Sequence, residues 1–400
     1  MTYAQTGYTL KEALRTAKTN NPFLKTERFE IDLSESEILS AQLRPNPVLG
    51  NETLQLARAS EFPIGTHWYN GQNREVLWQL SKPFQIMGQR KYKIEVAHKN
   101  ALFTQKNYRE IERNLLFEVA QKWLEVWTAH NQLDIIKIAK DNVDSLVLTN
   151  RHRYKNQVIT QTDLFRTELL AKQYALQHRT EKQDLINLQK ELQFLIGIKD
   201  SVGIASKDDF LFTISHSIDD LLDRSLKYRS DMETARSRID VSGSNINLQK
   251  SLAYPQPEIG LIFNTQNAIP HVGMALSIDL PFFDRNQGEI RKSQIMKDQA
   301  EQQLYTLEKQ LRSEVSIAYA NYRLQQGNIA EFKEVLKQSQ TILDNVKYAY
   351  LREGTTIIDF LEAQRSWLET QQHYFEAMQQ YRQSYIQLLY SAGLIDQLIL

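Results

Sequence analysis

Nine prolines punctuate this 400-residue chain, and they fall in two windows, Pro22 to Pro83 and Pro255 to Pro281. Between them are Pro45, Pro47 and Pro63, and Pro257 and Pro270. None lies between residues 84 and 254 or after 281. Proline removes a helix donor and clashes with the preceding turn, so the proline-free stretches permit long helices and the proline clusters mark where helices stop. Glycine agrees: none occurs from 89 to 196, and only Gly327 lies between 289 and 353.

Inside the gaps the apolar period is helical. Ile111, Leu115, Val119, Trp123 and Trp127 recur every four residues, and Leu304, Leu307, Leu311, Val315 and Tyr319 every three or four. A helix from about Gly88 to Arg153 would run roughly 100 Å at 1.5 Å per residue, a length that needs a coiled-coil-like bundle or helical tube. Trp123 and Trp127 lie on this stripe and read as packing residues. Inside the proline windows the period is two. Val272, Met274, Leu276, Ile278 and Leu280 alternate with small or polar neighbours, as do Ile259, Leu261 and Phe263, and less cleanly Val76, Trp78 and Leu80. These are strands, and one over about 47–57 pairs with that over 73–83. Polar loops are expected at about 58–72 and 265–271.

A shift of 196 residues lays the second half on the first: Trp123 on Tyr319, Tyr154 on Tyr350, Asp163 on Asp359 and Gly197 on Gly393. With small insertions Pro45-Asn46-Pro47 meets Pro255-Gln256-Pro257, and Lys82-Pro83-Phe84 meets Leu280-Pro281-Phe282. This is a tandem duplication within one protein of mainly α class with a small β part. Repeat one spans 8–197, with strands about 47–57 and 73–83 and long helices about 88–153 and 160–196. Repeat two spans 218–393, with strands about 258–265 and 272–280 and long helices about 288–350 and 356–392. Each half opens with a short helix and a second helix.

Lys+Arg and Asp+Glu balance at 48 each, which leaves no basic field for nucleic acid. No run of 18 apolar residues occurs and mean hydropathy is −0.49, so a transmembrane α-helix is excluded; a β-barrel is not, because its strands alternate. With no cysteine there is no disulfide and no thiolate metal site. The eight histidines are scattered without metal-ligand spacing, and neither a P-loop, a dinucleotide glycine pattern nor a nucleophile elbow occurs. The residues therefore point to no enzyme, no cofactor and no metal site. No signal-peptide pattern opens the chain, and Tyr3-Ala4-Gln5 after Met1 reads either as a mature start or as a cytosolic one. Four strands with both faces to cover cannot stand alone, and a sheet facing lipid must close, so a membrane role implies an oligomer.

Four segments carry a family resemblance: Leu43-Arg44-Pro45-Asn46-Pro47; Leu80-Ser81-Lys82-Pro83-Phe84 with Gly88 and Arg90; Leu280 to Ile290; and Tyr350-Leu351-Arg352-Glu353-Gly354-Thr355-Thr356 running into Asp359 to Arg365. Across about residues 8–393 the chain resembles the TolC family of outer membrane factors, on its CusC/CzcC-like heavy-metal efflux branch. The resemblance implies a TolC-like fold and a homotrimer. Its long antiparallel helices form a periplasmic α-barrel, and four strands per protomer contribute to a shared 12-stranded barrel in outer-membrane lipid. It also implies a periplasmic adaptor and an inner-membrane RND-type pump as partners, with small substrates conducted passively, heavy-metal cations among them. The chain departs from many relatives of that branch in lacking a lipidated cysteine, so no lipid anchor is expected. Asp359 follows Gly354 by five residues where relatives commonly show six.

The tips of the helix pairs are expected near 154–163 and 350–362, the chain reversing through Asn156-Gln157 in one half and Gly354, as a left-handed cap, in the other. Asp163, Asp359 and Glu362 then sit in the first turns of the returning helices, where acids stabilise the helix dipole by roughly 0.3–1 kcal/mol. Under the resemblance they become rings of three carboxylates, a pore gate that closes through Arg352 or its neighbours. Asn156, Gln157, Val158, Ile159, Gly354, Thr355 and Thr356 are the candidate adaptor contacts, with turn packing as the plainer reading. Trp78 is the candidate for an aromatic girdle at the lipid interface; Trp68 and Tyr69 read as exposed loop. The competing architecture is a periplasmic coiled-coil adaptor or scaffold, which has no use for two lipid-compatible hairpins.

Overall fold

The computed structural model describes residues 6–205 and 212–399; Tyr3-Ala4-Gln5 lie outside them. The chain divides into two compact units. The first holds Met1–Glu27, Tyr108–Met232 and Leu307–Leu400, the second Arg28–Asn107 and Glu233–Thr306.

In chain order the elements are β1 (Thr6–Tyr8), α1 (Leu10–Asn20), α2 (Pro22–Gln42), β2 (Val48–Gln55), β3 (Arg74–Pro83), α3 (Gln89–Lys155), α4 (Gln161–Ile196), β4 (Val202–Ile204), α5 (Ile218–Tyr228), α6 (Ser230–Leu252), β5 (Glu258–Gln266), β6 (Ile269–Ser277), α7 (Gln287–Leu351) and α8 (Ile357–Ser391). α3 and α7, of 67 and 65 residues, contribute to both units. Short 3₁₀ turns occupy Ala59–Glu61, Gly71–Asn73 and Ile395–Leu398.

The first unit is helical. Its core takes the stripe of α3 and its counterpart in α7: Val119, Trp123, Leu311 and Val315 are fully buried, as are Leu192 of α4 and Ile386 and Leu389 of α8. Burying each such side chain contributes about 1.5–3 kcal/mol. Trp123 donates its indole N–H to the Tyr8 carbonyl (3.0 Å), which fixes the parallel pair of β1 with β4 beside the helices. Four of the helices begin with capping boxes, in matching pairs: Thr9 with Glu12 and Ser217 with Asp220, Thr160 with Asp163 and Thr356 with Asp359. α4 ends on Gly197, whose φ of 76° suits glycine and where a Cβ would sit 2.5 Å from the Asn20 carbonyl oxygen.

The two repeats differ where these helix ends pack. In the first, the buried Asn21 amide donates to the Leu195 carbonyl (2.7 Å). The equivalent in the second is Arg229, which donates to the Ser391 carbonyl (3.0 Å), to Glu314 (2.8 Å) and to Asp231 (2.7 Å). Arg113 lies beside it, bound to Glu110 at 2.7 Å and stacked 4.0 Å over the Tyr390 ring. Burial opposes the Arg229 charge, yet bonds to Asp231 and Glu314 outweigh it and hold the guanidinium above its ordinary pKa. Burial likewise opposes ionisation of Asp231, but Arg229 and Arg113 pull its carboxyl below the usual range.

The second unit contains one antiparallel sheet in the order β2-β3-β5-β6. Register places Asn51, Trp78, Phe263 and Val272 in one row and Leu49, Leu80, Leu261 and Met274 in the next row on the same face. That face is apolar and exposed: Leu261 keeps 59% of its surface, Val272 83% and Met274 77%. The other face is mixed: it carries Gly50, Gln79, Ser81, Gly260, Asn264, Gly273 and Ala275 with Glu52, Glu75 and Glu258, and also Val48, Leu54, Leu77, Ile262 and Ile269. Asn264 donates to Glu75 there (2.7 Å) and Ser81 to Glu258. Among the described residues β2 and β6 have no strand partner on their outer sides.

Two expectations for this sheet are corrected. The polar loop expected at 265–271 contracts to Asn267-Ala268, both with positive φ (52° and 67°), the primed geometry that joins right-twisted strands in two residues. β6 therefore begins at Ile269 and pairs up to the turn. It ends at Ser277, not near 280, because its partner β5 is preceded by Pro255-Gln256-Pro257, whose prolines lack ladder donors. Trp68 and Tyr69 are exposed in the segment joining β2 to β3, at 58% and 78%. No described helix is long and apolar enough to cross a membrane.

Candidate functional site

Both long-helix hairpins reverse in the first unit, and both do so by the same hydrogen-bond pattern. At the first tip the Val158 N–H bonds the Arg153 carbonyl (2.9 Å) and the Gln157 N–H the Tyr154 carbonyl (2.9 Å). At the second the Gly354 N–H bonds the Ala349 carbonyl (2.8 Å) and the Glu353 N–H the Tyr350 carbonyl (3.2 Å). This is the Schellman motif, closing the last carbonyls of α3 and α7. The left-handed residues are Gln157 (φ 61°) and Glu353 (φ 63°). Gly354 is thus not the left-handed cap expected of it; it stands one residue beyond, where any residue's backbone fits.

Asp163 and Asp359 are each the third residue of the returning helix and close its capping box. Asp163 accepts from the Thr160 hydroxyl (2.7 Å), and Arg166 stands 3.9 Å from its other oxygen. Asp359 Oδ2 accepts from Thr356 Oγ1 (2.6 Å), Thr355 Oγ1 (2.7 Å) and the Thr356 N–H (3.1 Å). The Thr356 and Thr355 hydroxyls hold the Asp359 carboxyl below the usual carboxylate range. Glu362, one turn on, is exposed and makes no hydrogen bond or ion pair among the described residues. Asp359 and Glu362 thus present two carboxylates from one helix end. Within the chain Arg352 does not reach either; it stacks 4.1 Å over the Tyr348 ring. Asn156, Gln157, Val158, Gly354 and Thr356 are exposed at the reversals, and Ile159 and Thr355 are half-buried.

A network that the sequence reading did not single out joins the two hairpins. The Tyr350 hydroxyl donates to Asn150 Oδ1 (2.7 Å), and Asn150 Nδ2 donates to Thr167 Oγ1 (2.9 Å). Thr167 in turn donates to the Asp163 carbonyl (3.0 Å). Asn150, Thr167 and Tyr350 are all buried. Above them the Arg153 guanidinium lies 4.9 Å from the Tyr350 ring, donates to the Tyr350 carbonyl (3.4 Å) and pairs with Glu353 (3.3 Å). Burial raises the Tyr350 hydroxyl pKa. Around this network lies an apolar cluster of Val143, Leu170, Leu343, Ile357, Phe360 and Trp367. The detectable signal was a polar residue, Asn150, interrupting the buried stripe Val143–Leu146 of α3; its partner Tyr350 is 200 residues away.

No group of three or more His, Cys, Asp or Glu side chains among the described residues is placed to hold a metal ion. The site is a joint between two hairpins with carboxylates at its rim.

A profile of the outer membrane efflux protein family matches residues 13–198 and 221–394, one repeat each. The chain belongs to the outer membrane efflux protein family. Members of this family are passive channels and not enzymes. The cobalt-zinc-cadmium resistance protein CzcC of Cupriavidus metallidurans is 19% identical over 364 residues, 90% of this chain and 83% of that protein. The fold is shared with CusC, solved in a study of folding and transmembrane channel formation, at a TM-score of 0.78, 17% identity and coverage of 98% and 95% of the two chains. It is shared too with the Campylobacter jejuni CmeC outer membrane channel, at 0.77, 14% identity and coverage of 98% and 90%.

Proposed function

We propose that this outer membrane efflux protein is one protomer of a homotrimeric exit duct of a tripartite efflux system. The observation that carries the reading is the four-stranded sheet: both edges open among the described residues, one face apolar and exposed, the other mixed, with glycines, polar residues and three glutamates among its aliphatic ones. Three such sheets joined edge to edge make a closed 12-stranded barrel that lipid tolerates, with Trp78 at the interface. The helical hairpins lie in the periplasm. Their tips meet a periplasmic adaptor through Asn156, Gln157, Val158, Gly354, Thr355 and Thr356, and through it an RND-type inner-membrane pump that supplies the energy. The cargo is small and includes heavy-metal cations, a reading supported by similarity to CzcC.

The tips form the gate. Asp163, Asp359 and Glu362 become rings of three carboxylates that attract cations, and Arg352 faces the neighbouring copy's acids. The Tyr350–Asn150–Thr167 network is the latch that holds the second hairpin against the first. Opening by movement of one hairpin breaks a buried hydrogen bond, which costs about 1–3 kcal/mol and favours the shut state.

Planar-bilayer recording of the purified protein tests this. The duct predicts low conductance at rest, and a loss of cation preference when Asp359 and Glu362 are both changed to alanine. Unchanged conductance and preference in that variant would remove the gate assignment. A protein that purifies without detergent would favour the coiled-coil scaffold.

A further inference from the structure

A cleft of about 590 Å³ opens in the second unit, where α6 and β6 run out toward α7. Its apolar walls are Tyr254, Leu280, Phe282 and Ile290, and its two charged residues are Lys250 and Arg285, with no acid in the lining. Arg285 spends its Nε on the Pro281 carbonyl (3.1 Å), an anchor that positions the guanidinium. Neither its outer nitrogens nor the Lys250 ammonium has an acidic partner among the described residues. Asp279 and Asp284 line a neighbouring hollow that shares the Tyr254–Leu280 wall, and Asp284 already accepts from the Asn286 N–H (2.8 Å).

The cleft continues the exposed apolar face of the sheet. Val272, Met274 and Leu276 of β6 lead to Leu280 and Phe282, still 67% and 69% exposed. Lys82 stands at the same end of that face, in the row of Ile259 and Leu276. The cations are not demanded by the fold: by the Pro45/Pro255 and Phe84/Phe282 equivalences, Ser40 and Met87 occupy the corresponding places in the first repeat. Two cations without an acidic partner over an apolar wall match one kind of ligand, an anionic amphiphile whose chain lies along a surface facing lipid.

We infer that this cleft binds an anionic glycerophospholipid, its phosphate between Lys250 and Arg285 and an acyl chain against Leu280 and Phe282. The inference rests on the membrane reading above. Each basic group near a lipid phosphate contributes enough that its loss weakens binding about fivefold, and loss of both on the order of thirtyfold.

The test is native mass spectrometry of the detergent-purified full chain titrated with phosphatidylglycerol, phosphatidylethanolamine and inorganic phosphate. The expected result is one retained phosphatidylglycerol per chain, held in preference to phosphatidylethanolamine and not displaced by millimolar phosphate. Lys250→Gln and Arg285→Gln each lower its retention about fivefold. The charge-preserving pair Lys250→Arg with Arg285→Lys keeps it, which separates charge from misfolding. Retention unchanged in the double glutamine variant would overturn the inference, and so would displacement by free phosphate. A change in copy number without a change in lipid would overturn it too, by showing that the cleft is a seam between protomers. A protein that inserts and conducts but retains no phosphatidylglycerol refutes this site alone; one that never enters a bilayer refutes the duct.

Discussion

The two hairpin tips share their local chemistry and differ in what lies beneath it. Each stops its outgoing helix with a Schellman motif on a left-handed non-glycine residue, Gln157 or Glu353, and starts its return with a Thr-Asp capping box. Under this common shell the tyrosines part company. Tyr350 is 3% exposed and bonded to Asn150, whereas Tyr154, its equivalent 196 residues earlier, is 40% exposed. The cause lies at two positions. Asn150 and Thr167 supply polar partners in the first repeat, and their equivalents in the second are Val346 and Ala363, which supply none. A duplicated hairpin thus kept its turn chemistry, which the helix ends require, and became asymmetric in its buried polar groups, where the Tyr350–Asn150 bond fastens one hairpin to the other.

The strongest way to break this comparison is to truncate both tyrosines. Tyr350→Ala empties a buried site and should cost about 3–5 kcal/mol of unfolding free energy, while Tyr154→Ala should stay within about 0.5–1 kcal/mol. Equal losses in denaturant titrations would show that the tips are not differentiated. Next, Asn150→Val leaves the Tyr350 hydroxyl without its acceptor and the Thr167 oxygen without its donor, and should cost about 1–3 kcal/mol and raise resting conductance. Adding Tyr350→Phe to it should recover part of the loss, a coupling that a double-mutant cycle reads directly.

A third expectation concerns pH. Burial pushes the Tyr174 hydroxyl up to about 12, and burial raises that of Tyr350 as well. Below the ordinary tyrosine value near 10 these groups are neutral in both states, so they add no pH dependence. Above it the unfolded chain ionises first, and stability falls as pH climbs toward 12. Tyr174→Phe should flatten that decline in thermal unfolding measured from pH 9 to 12; an unchanged slope would contradict the burial of this hydroxyl.

The capping boxes sharpen the comparison from the other side. Thr160→Ala and Thr356→Ala should each cost about 0.5–2 kcal/mol, and by similar amounts, since the shell is the part that did not diverge. The smallest effect belongs to the left-handed residues. Gln157→Gly relieves a strained φ and should stabilise by up to about 1 kcal/mol, whereas Glu353→Gly gains less because it forfeits the ion pair with Arg153. An equal gain at both tips would mean that this ion pair contributes nothing.

The long helices and the strand pairs were readable in the sequence because each rests on a local rule: proline exclusion over 84–254, and a two-residue period over 259–263 and 272–276. The features that escaped depend on context. The two-residue turn at Asn267-Ala268 lacks the glycine that usually announces it, and β1 and β4, three residues each, are too short to show a period. Gly354 suggested the left-handed position, but the helix end falls one residue earlier and Glu353 bears the positive φ. The acids at the tips were visible as helix-start residues, and their bonds to Thr160 and Thr356 are the capping chemistry that such spacing foretells. The Tyr350–Asn150 contact was beyond a single sequence, since nothing local to either residue names its partner across 200 positions. The lone cue, an amide in an apolar stripe, says that a partner exists without saying where.

Whether the sheets of sister copies complete one another is decided by cysteine cross-linking, for which the cysteine-free chain is a clean background. Single cysteines at Leu49, Asn51 or Thr53 on β2 would be paired in turn with ones at Val272, Met274 or Leu276 on β6, and the membrane-inserted protein oxidised. The account predicts disulfides between different chains, in a ladder that ends at the trimer, about three times 46.7 kDa. Disulfides formed within one chain, closing its own four strands, would contradict it.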